Sequence, residues 1–522
     1  MELSTLMELL IIIPLAAAVI MALFPSKSTP TALFEGVHTV SVVAVCAIGL
    51  YLALGVMVSN CNIFAFSAWF NMDALAAIFV ILIGVIGCMT GLFSIPYIRH
   101  DIAEGSLDNG QVKIYYVFFN LFIFTMLLAS LSNNIIIMWA AVEATTLSTV
   151  FLVAAYSKKK LSLEAGWKYI IVCTAGVAFG LYATVLTFAD ANSVLANSGD
   201  AVLWTTIVSH ASQFDPMLMS IAFVFAVIGF GTKAGLFPMH TWLPDAHSEA
   251  PSPVSALLSG VLLKCALLVI IRFYVLTCQA VGPEFPQLVM LIVGALSVCV
   301  AAVSMYAQND LKRKLAYSSC ENVGFVALCL GFGGPIGVVA ALLHCIFHGF
   351  TKALMFCLSG NILMKYGTRD LRKIKGVAHV APFTGTLLGV GFFALAGMPP
   401  FAMFVSEISA FIAGIGANLV WLVVLIGLAL TIVMAACVKV VTGSVLSPAP
   451  EGVERGDVSK FAFVPEVILL AVILWFGVAL PQPVAQGVEN AAGIVLQEDT
   501  KALHEAPIVK DIFANTDQSM AR

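Results

Sequence analysis

Apolar residues run through this chain in blocks of about 20, the length at which an α-helix crosses a hydrocarbon core of about 30 Å. In order, the blocks predict spans near 4–24, 32–58, 72–97, 114–132, 134–156, 162–189 and 217–238. They continue near 252–276, 285–308, 312–332, 334–364, 382–412, 417–445 and 462–482. The pattern reads as an all-α polytopic membrane protein with about 14 transmembrane helices. The first block lacks the basic stretch of a secretory signal, since Glu2 and Glu8 precede the first cation, Lys27, and it reads as a retained span. After Pro483 the tail is polar and mixed.

Two blocks are interrupted. The segments GTKAGLFP, around Lys233, and ALAGMPPFAMFVSE, before Glu407, set Gly and Pro inside apolar runs, so helices 7 and 12 are predicted to be proline-broken. Spans 4–8 and 9–13 hold five helices each, with the break in the fourth of each set, which suggests two inverted five-helix repeats. The third helix of each set carries a lysine, Lys168 in EAGWKY and Lys352 in HGFTKAL. Interrupted helices at matching places in two halves point to a transport site. The chain then divides into helices 1–3 (1–112), repeat one (113–276), repeat two (277–445), and a loop, helix 14 and polar tail (446–522).

Composition agrees with the pattern. Hydrophobic residues make up 61% and charged residues 10% of the chain, against about 45–50% and about 25% in soluble domains. No basic stripe with interleaved aromatics is present, which excludes nucleic-acid binding as a reading. The 12 cysteines contain no C-x-x-C pair and read as small core hydrophobes, so no cofactor, metal or redox centre is expected in this chain. Lysine and arginine fall in the odd-numbered loops, at Lys27, Arg99, Lys113, Lys158–Lys160, Lys312–Lys314, Lys365–Lys375 and Arg455–Lys460, and in none of the even ones. By the positive-inside rule both termini face outward, in a bacterial-type inner membrane with a periplasm outside.

Charge inside the spans changes the picture most. Between Gly229 and Arg272 the apolar pattern gives way to Pro238, Pro244, Pro251 and Pro253, with His240, His247, Asp245 and Glu249. Lys168, Lys233, Lys264, Arg272, Lys352 and Lys439 lie within spans, as do Glu143, Glu321 and Glu407, with Glu35, Asp73 and Glu466 nearer span ends. Each central charge costs about 2.5–3.5 kcal/mol on insertion scales, so a set this large implies a paired, hydrated axis near the membrane midplane. Glu143 has two readings: a structural carboxylate bonded to neighbouring threonines, or the partner that holds Lys233 charged until it moves away. His344, His348 and Lys352 recur at i, i+4 and i+8, one helix face, which suits a proton relay better than a metal site with two histidines. Glu407, two turns after the second break, can accept the last proton of such a chain. Arg272 and Lys439 are snorkelling or pairing residues.

The stretch FPMHTWLPDAHSEAPSPVSALLSGVLLK resembles the signature of the antiporter-like proton-translocating subunits of respiratory complex I, a family shared with multisubunit cation/proton antiporters and membrane-bound hydrogenases. QNDLKRKLAYSSCENVGF, HGFTKALMFCLSGNI and GMPPFAMFVSEISAF extend the resemblance over roughly Val112 to Val445. The resemblance implies fourteen helices in two inverted repeats and proton movement through midplane lysines. On it, Glu143 and Lys233 match the family's ion pair, Lys264 its connecting lysine, His348 a relay residue of helix 11, and Glu407 the terminal residue of helix 12. The family commonly has histidine where Asn322 stands, so either Glu321 substitutes or water and His344 bridge the gap. Lys168, Glu321, Asn322, Lys352 and His240 complete the expected relay as accessory residues. The chain most resembles hydrogenase-4 component F-type subunits, which implies a group 4 nickel–iron hydrogenase or formate hydrogenlyase-type complex. A chain M-type subunit of an NADH-quinone oxidoreductase and a multisubunit Na+/H+ antiporter subunit are the alternatives. Implied partners are other membrane-arm subunits, a hydrophilic redox arm, protons or Na+, and the lipid bilayer.

Overall fold

The structure, a computed structural model, describes residues 2–26, 29–195, 197–450 and 452–498. Lys27 of the first loop and the tail beyond 498 lie outside the described residues. Among the described residues, 13 helices are long and apolar enough to cross a membrane. Two shorter apolar helices, Pro382–Leu395 and Ala402–Gly416, flank the Gly397–Pro400 break and together form the expected twelfth passage.

Both breaks use the same device. Span 7 runs over Pro216–Ala234 and stops at Gly235, whose φ of +84 only glycine adopts without strain; Pro238 follows. The chain then passes through a 3-10 turn, Met239–Trp242, into a short helix, Leu243–Glu249, and span 8 begins at Ser252. In span 12 the left-handed residue is Gly397, φ +64, followed by Pro399 and Pro400. Span 8 carries a further irregularity, a wider π turn at Leu258–Leu262 just before Lys264.

Spans 8 and 11 (Ser252–Val281 and Gly334–Tyr366) are fully buried over their most apolar windows, and span 10, Leu311–Phe332, is 94% buried over its own. Spans 13 and 14 are only 33% and 28% buried, which makes them lipid- or partner-facing. Four of the nine charges that look costly in the sequence, Lys264, Arg272, Glu321 and Lys352, lie on these interior helices, where protein rather than lipid surrounds them. Small residues bring these helices close: a methyl group on Gly294 of span 9 would lie 2.6 Å from the Leu328 backbone nitrogen of span 10.

The tail departs from expectation. Residues Gln482–Leu496 form a helix that buries Val484, Val488, Ala491, Ala492 and Val495. Asn490 ties it to span 2 by donating to the Met57 carbonyl at 2.9 Å. Its apolar residues recur at helical spacing among polar ones, so its composition resembles a loop while its periodicity does not. The loop before span 7 likewise contains a helix, Trp204–His210.

Candidate functional site

Lys233 ends the first half of span 7, fully buried, where the helix C-terminus favours a cation. Its ammonium donates to the Thr146 hydroxyl at 2.9 Å and to the Tyr169 hydroxyl at 2.5 Å, and lies 4.6 Å from the Tyr169 ring centre. The Trp242 indole, which donates to the Thr232 carbonyl at 2.8 Å, packs against Tyr169 and closes the pocket. Glu143 does not form the expected ion pair with Lys233. It sits one helical turn before Thr146, half-buried, and one carboxylate oxygen accepts from Thr174 of span 6 at 2.8 Å while the other has no partner. In this arrangement hydroxyls, not a carboxylate, hold the lysine.

Three other side chains also lie elsewhere than the sequence suggested. Lys168 belongs to a charged cluster at the cation-rich face, donating to Asp245 at 2.5 Å, and Arg313 reaches the other oxygen of the same carboxylate at 2.5 Å. His240 is half-buried in the 3-10 turn beside Phe237 and Tyr317, joined to no other relay residue by a hydrogen bond. Lys312, expected in a loop, is 1% exposed and donates to the Ala250 carbonyl at 2.5 Å. Of the residues left open, Arg272 is paired: it holds Asp73 of span 3 through two bonds of 2.6 and 2.8 Å and stacks 4.2 Å from Trp204. Lys439 lies over the Tyr306 ring.

The remaining candidates converge. Lys264 donates to the Ser259 carbonyl inside the π turn, and the Ser259 hydroxyl lies 2.7 Å from that of Ser319 in span 10. Three residues on, Asn322 is a hub. Its amide nitrogen donates to the Glu321 carboxylate and, at 2.7 Å, to the Ser318 carbonyl. Its oxygen faces His344 Nε2 at 2.9 Å, and His344 Nδ1 lies 3.0 Å from the Ser406 hydroxyl. Ser406 adjoins Glu407, whose carboxylate lies against the bare Cα of Gly397, where any Cβ would collide with it. The His348 ring stacks below His344, centres 6.1 Å apart, with both nitrogens buried and unpartnered. Lys352 donates to the Leu315 carbonyl at 2.8 Å.

This file constrains its own hydrogens. Because Asn322 spends its N–H groups on Glu321 and Ser318, its oxygen can only accept, so His344 Nε2 carries a hydrogen. Ser406 has one hydroxyl hydrogen and two acceptors in reach, His344 Nδ1 at 3.0 Å and the Met403 carbonyl at 2.9 Å. A neutral His344 receives that hydrogen; a protonated one donates from Nδ1 and turns the hydroxyl to Met403. His344 thus changes protonation at the expense of one hydroxyl rotation.

Sequence reasoning passed over His247 as a site residue. It is fully buried, stacked 4.9 Å from Phe356, with both ring nitrogens unpartnered and Lys312, Lys352 and Lys264 within electrostatic reach. Its presence in the proline-rich stretch was the only signal. Among the described residues no group of three or more His, Cys, Asp or Glu is arranged to hold a metal ion.

The comparisons with known proteins fit this geometry. The family described as "NADH:quinone oxidoreductase/Mrp antiporter, TM" matches residues 132–433 of the 522. The chain is 40% identical over 342 residues to a hydrogenase-4 component F homolog of Methylacidiphilum infernorum (isolate V4), covering 65% of this chain and 71% of that relative. It is 31% identical over 349 residues to hydrogenase-4 component B of Escherichia coli (strain K12), covering 65% of this chain and 49%, about half, of that longer protein. A chain in the solved membrane-bound sulfane sulfur reductase, an archaeal respiratory membrane complex, shares the fold with a TM-score of 0.84 at 23% identity, over 95% of this chain and 99% of that one. With more than half its length matched, the chain belongs to the NADH:quinone oxidoreductase/Mrp antiporter membrane family.

Proposed function

We propose that this chain is a proton-translocating membrane-arm subunit of a redox-driven complex, of the group 4 nickel–iron hydrogenase or formate hydrogenlyase type. The observation that carries the reading is the hydrogen-bonded file from Glu321 through Asn322 and His344 to Ser406, beside Glu407. A proton arriving at His344 is taken up at Nδ1 while Ser406 turns to Met403; it leaves when Nδ1 gives its proton to the Ser406 oxygen as that hydroxyl gives its own to the Glu407 carboxylate, and the new hydroxyl then turns back to neutral His344. Asn322 does not titrate; it orients His344 and keeps Glu321 hydrogen-bonded. Lys264 and Lys352 flank this file on spans 8 and 11. Lys233 is the switchable end: its link to Glu143 runs through span 5, whose Thr146 already bonds it, and Glu143 keeps one oxygen free.

Spans 4–8 and 9–13 act in this reading as two inverted repeats, a view supported by the matching glycine–proline breaks at Gly235 and Gly397. The lysine-rich odd loops support a topology in which both termini lie outside the cytoplasmic membrane. The names of the relatives, components F and B of hydrogenase-4, support a hydrogenase complex of several components; in this reading its other parts are further membrane subunits and a hydrophilic redox arm. The test is proton translocation by membranes carrying the whole complex with Lys233→Ala or Glu143→Gln, at normal redox turnover. Loss of pumping is expected; full pumping in both variants overturns the reading. Sodium-dependent pH changes without redox turnover would instead identify a cation/proton antiporter subunit.

A further inference from the structure

A cavity of about 140 Å³ opens on the cation-rich face, where the loops after spans 9 and 11 meet the start of span 10 and the end of span 13. No residue of the hydrogen-bonded file lines it. Its walls carry Gln308, Asn309, Lys314, Arg372, Lys375 and Lys439, and among the described residues that line it there is no carboxylate. Asp370, outside the lining, answers Arg372 through two bonds of 2.9 Å. Helix ends account for part of the remaining charge. Lys314, 1% exposed, donates to the Met305 carbonyl in the last turn of span 9 at 2.7 Å, and Lys375 donates at 2.6 Å to Gly443 in the π turn, Val441–Val445, that ends span 13. Each spends one of its three N–H hydrogens that way. Lys439 caps nothing: it is exposed, lies 5.0 Å from the Tyr306 ring centre, and is within electrostatic reach of Lys314. Three like charges around so small a space repel one another, and the space favours an anion. At about 30 Å³ per molecule it takes about four or five waters, or one phosphate group in their place.

Two apolar faces run from this cavity into the bilayer. On span 9, Ile292, Leu296 and Val303 are exposed, and at 3.6 residues per turn they share a face about 80° wide with Tyr306. On span 13, Leu425, Leu428 and Ile432 are exposed and share a still narrower face with Lys439. The contact of Lys439 with Tyr306 joins the two faces at the level of the cavity. An apolar strip headed by cations has the layout of a phospholipid site, with chains on the strip and the headgroup phosphate among the cations.

We propose that this cavity binds the phosphate of an anionic phospholipid from the leaflet on the cation-rich face, with the lipid chains lying along spans 9 and 13. The phosphate replaces the repulsion between Lys314 and Lys439 with charge-assisted bonds and ties the end of span 13 to the start of span 10. Gln308 and Asn309 add amide donors at the rim. A free phosphate meets the same cations but gains nothing from the apolar faces, and a zwitterionic lipid brings a cation of its own to them. The site needs only the membrane, and it stands whatever the chain transports.

The test places the whole complex in phosphatidylcholine vesicles with a trace of phosphatidylglycerol that carries a photoactivatable diazirine in one chain. A trace of phosphatidylcholine with the same group is the comparison. After illumination, labelled peptides are located by mass spectrometry. On spans 9 and 13 the phosphatidylglycerol should label at least about fivefold more than the phosphatidylcholine, the scale of one lysine's attraction for anionic lipid. Lys375→Gln combined with Lys439→Gln should abolish that preference. Lys439→Arg should keep it, as should Lys158→Gln, which removes an exposed lysine away from the cavity. If the double variant does not assemble, the two lipids compared on the unaltered complex decide alone. Inorganic phosphate, matched against sodium chloride at equal ionic strength, should leave the preference in place. Displacement by phosphate but not by chloride would make the occupant a free anion. Equal labelling by the two lipids would mean an apolar face indifferent to the headgroup, and no labelling of spans 9 and 13 would mean that another subunit covers them. Each of these three results overturns the proposal.

Discussion

Lys233 and Glu407 each sit beside a glycine–proline break, one in span 7 and the other in span 12, yet their surroundings differ. Lys233 is enclosed by the Thr146 and Tyr169 hydroxyls and an aromatic wall, with no carboxylate or histidine bonded to it. Glu407 follows Ser406, the last member of a hydrogen-bonded run of polar groups that includes the titratable His344 and Glu321. The same backbone device therefore stands beside an enclosed cation at one end and beside a hydrogen-bonded run at the other, which the proposed function reads as a store and an exit. A break frees backbone groups and makes room; the neighbouring spans decide whether the room holds a charge or passes one.

Four variants probe that contrast. The largest effect is expected for His344→Ala, which removes the titrating centre of the file and leaves Asn322 and Ser406 unlinked. Proton translocation should fall by at least about a hundredfold in vesicles that retain redox turnover. Tyr169→Phe takes one of the two hydroxyl acceptors from the buried Lys233 ammonium; losing a hydrogen bond to a charged group, worth about 1.5–3 kcal/mol, should slow pumping roughly tenfold. If it instead leaves pumping intact while redox rates hold, the closed end is not a store. Gly397→Ala strains a left-handed residue by about 1–2 kcal/mol and pushes the Glu407 carboxylate from its seat, so pumping should drop several-fold. Gly235→Ala adds the same backbone strain, but its new methyl meets the flexible tip of Leu243 at 2.5 Å rather than a charge. Its pumping should suffer less than that of Gly397→Ala, with a thermal destabilisation of about 1 kcal/mol. Equal losses at the two glycines would erase the distinction between the breaks.

The spans and both breaks were legible in the sequence because bilayer thickness imposes run length, and Gly and Pro interrupt such runs visibly. The shared face of His344 and His348 was legible too, since helical spacing constrains it. Side-chain partners across spans were not. Which lysine meets which acceptor depends on the rotation of each helix about its axis, and a single residue of phase turns a side chain by about 100°. That is why Glu143 was expected at Lys233 but bonds Thr174, and why Lys168 was expected among relay residues but pairs with Asp245. The change from the 3-10 turn to an α-helix after Trp242 resets the phase between His240 and His247, so nothing in the pattern favoured the second over the first. Lys312 looked like a loop cation because it adjoins Arg313; only the packing of span 10 under Ala250 buries it.

Asn322 is where the account is most exposed, because a residue that cannot titrate occupies the centre of the file. The direct measurement is the rate of proton translocation in vesicles carrying the whole complex with Asn322→Leu and, in parallel, Asn322→His. The account predicts that leucine, which can neither accept from His344 nor donate to Glu321, stops translocation, and that histidine restores most of it. Translocation at the original rate with leucine at position 322 would contradict it.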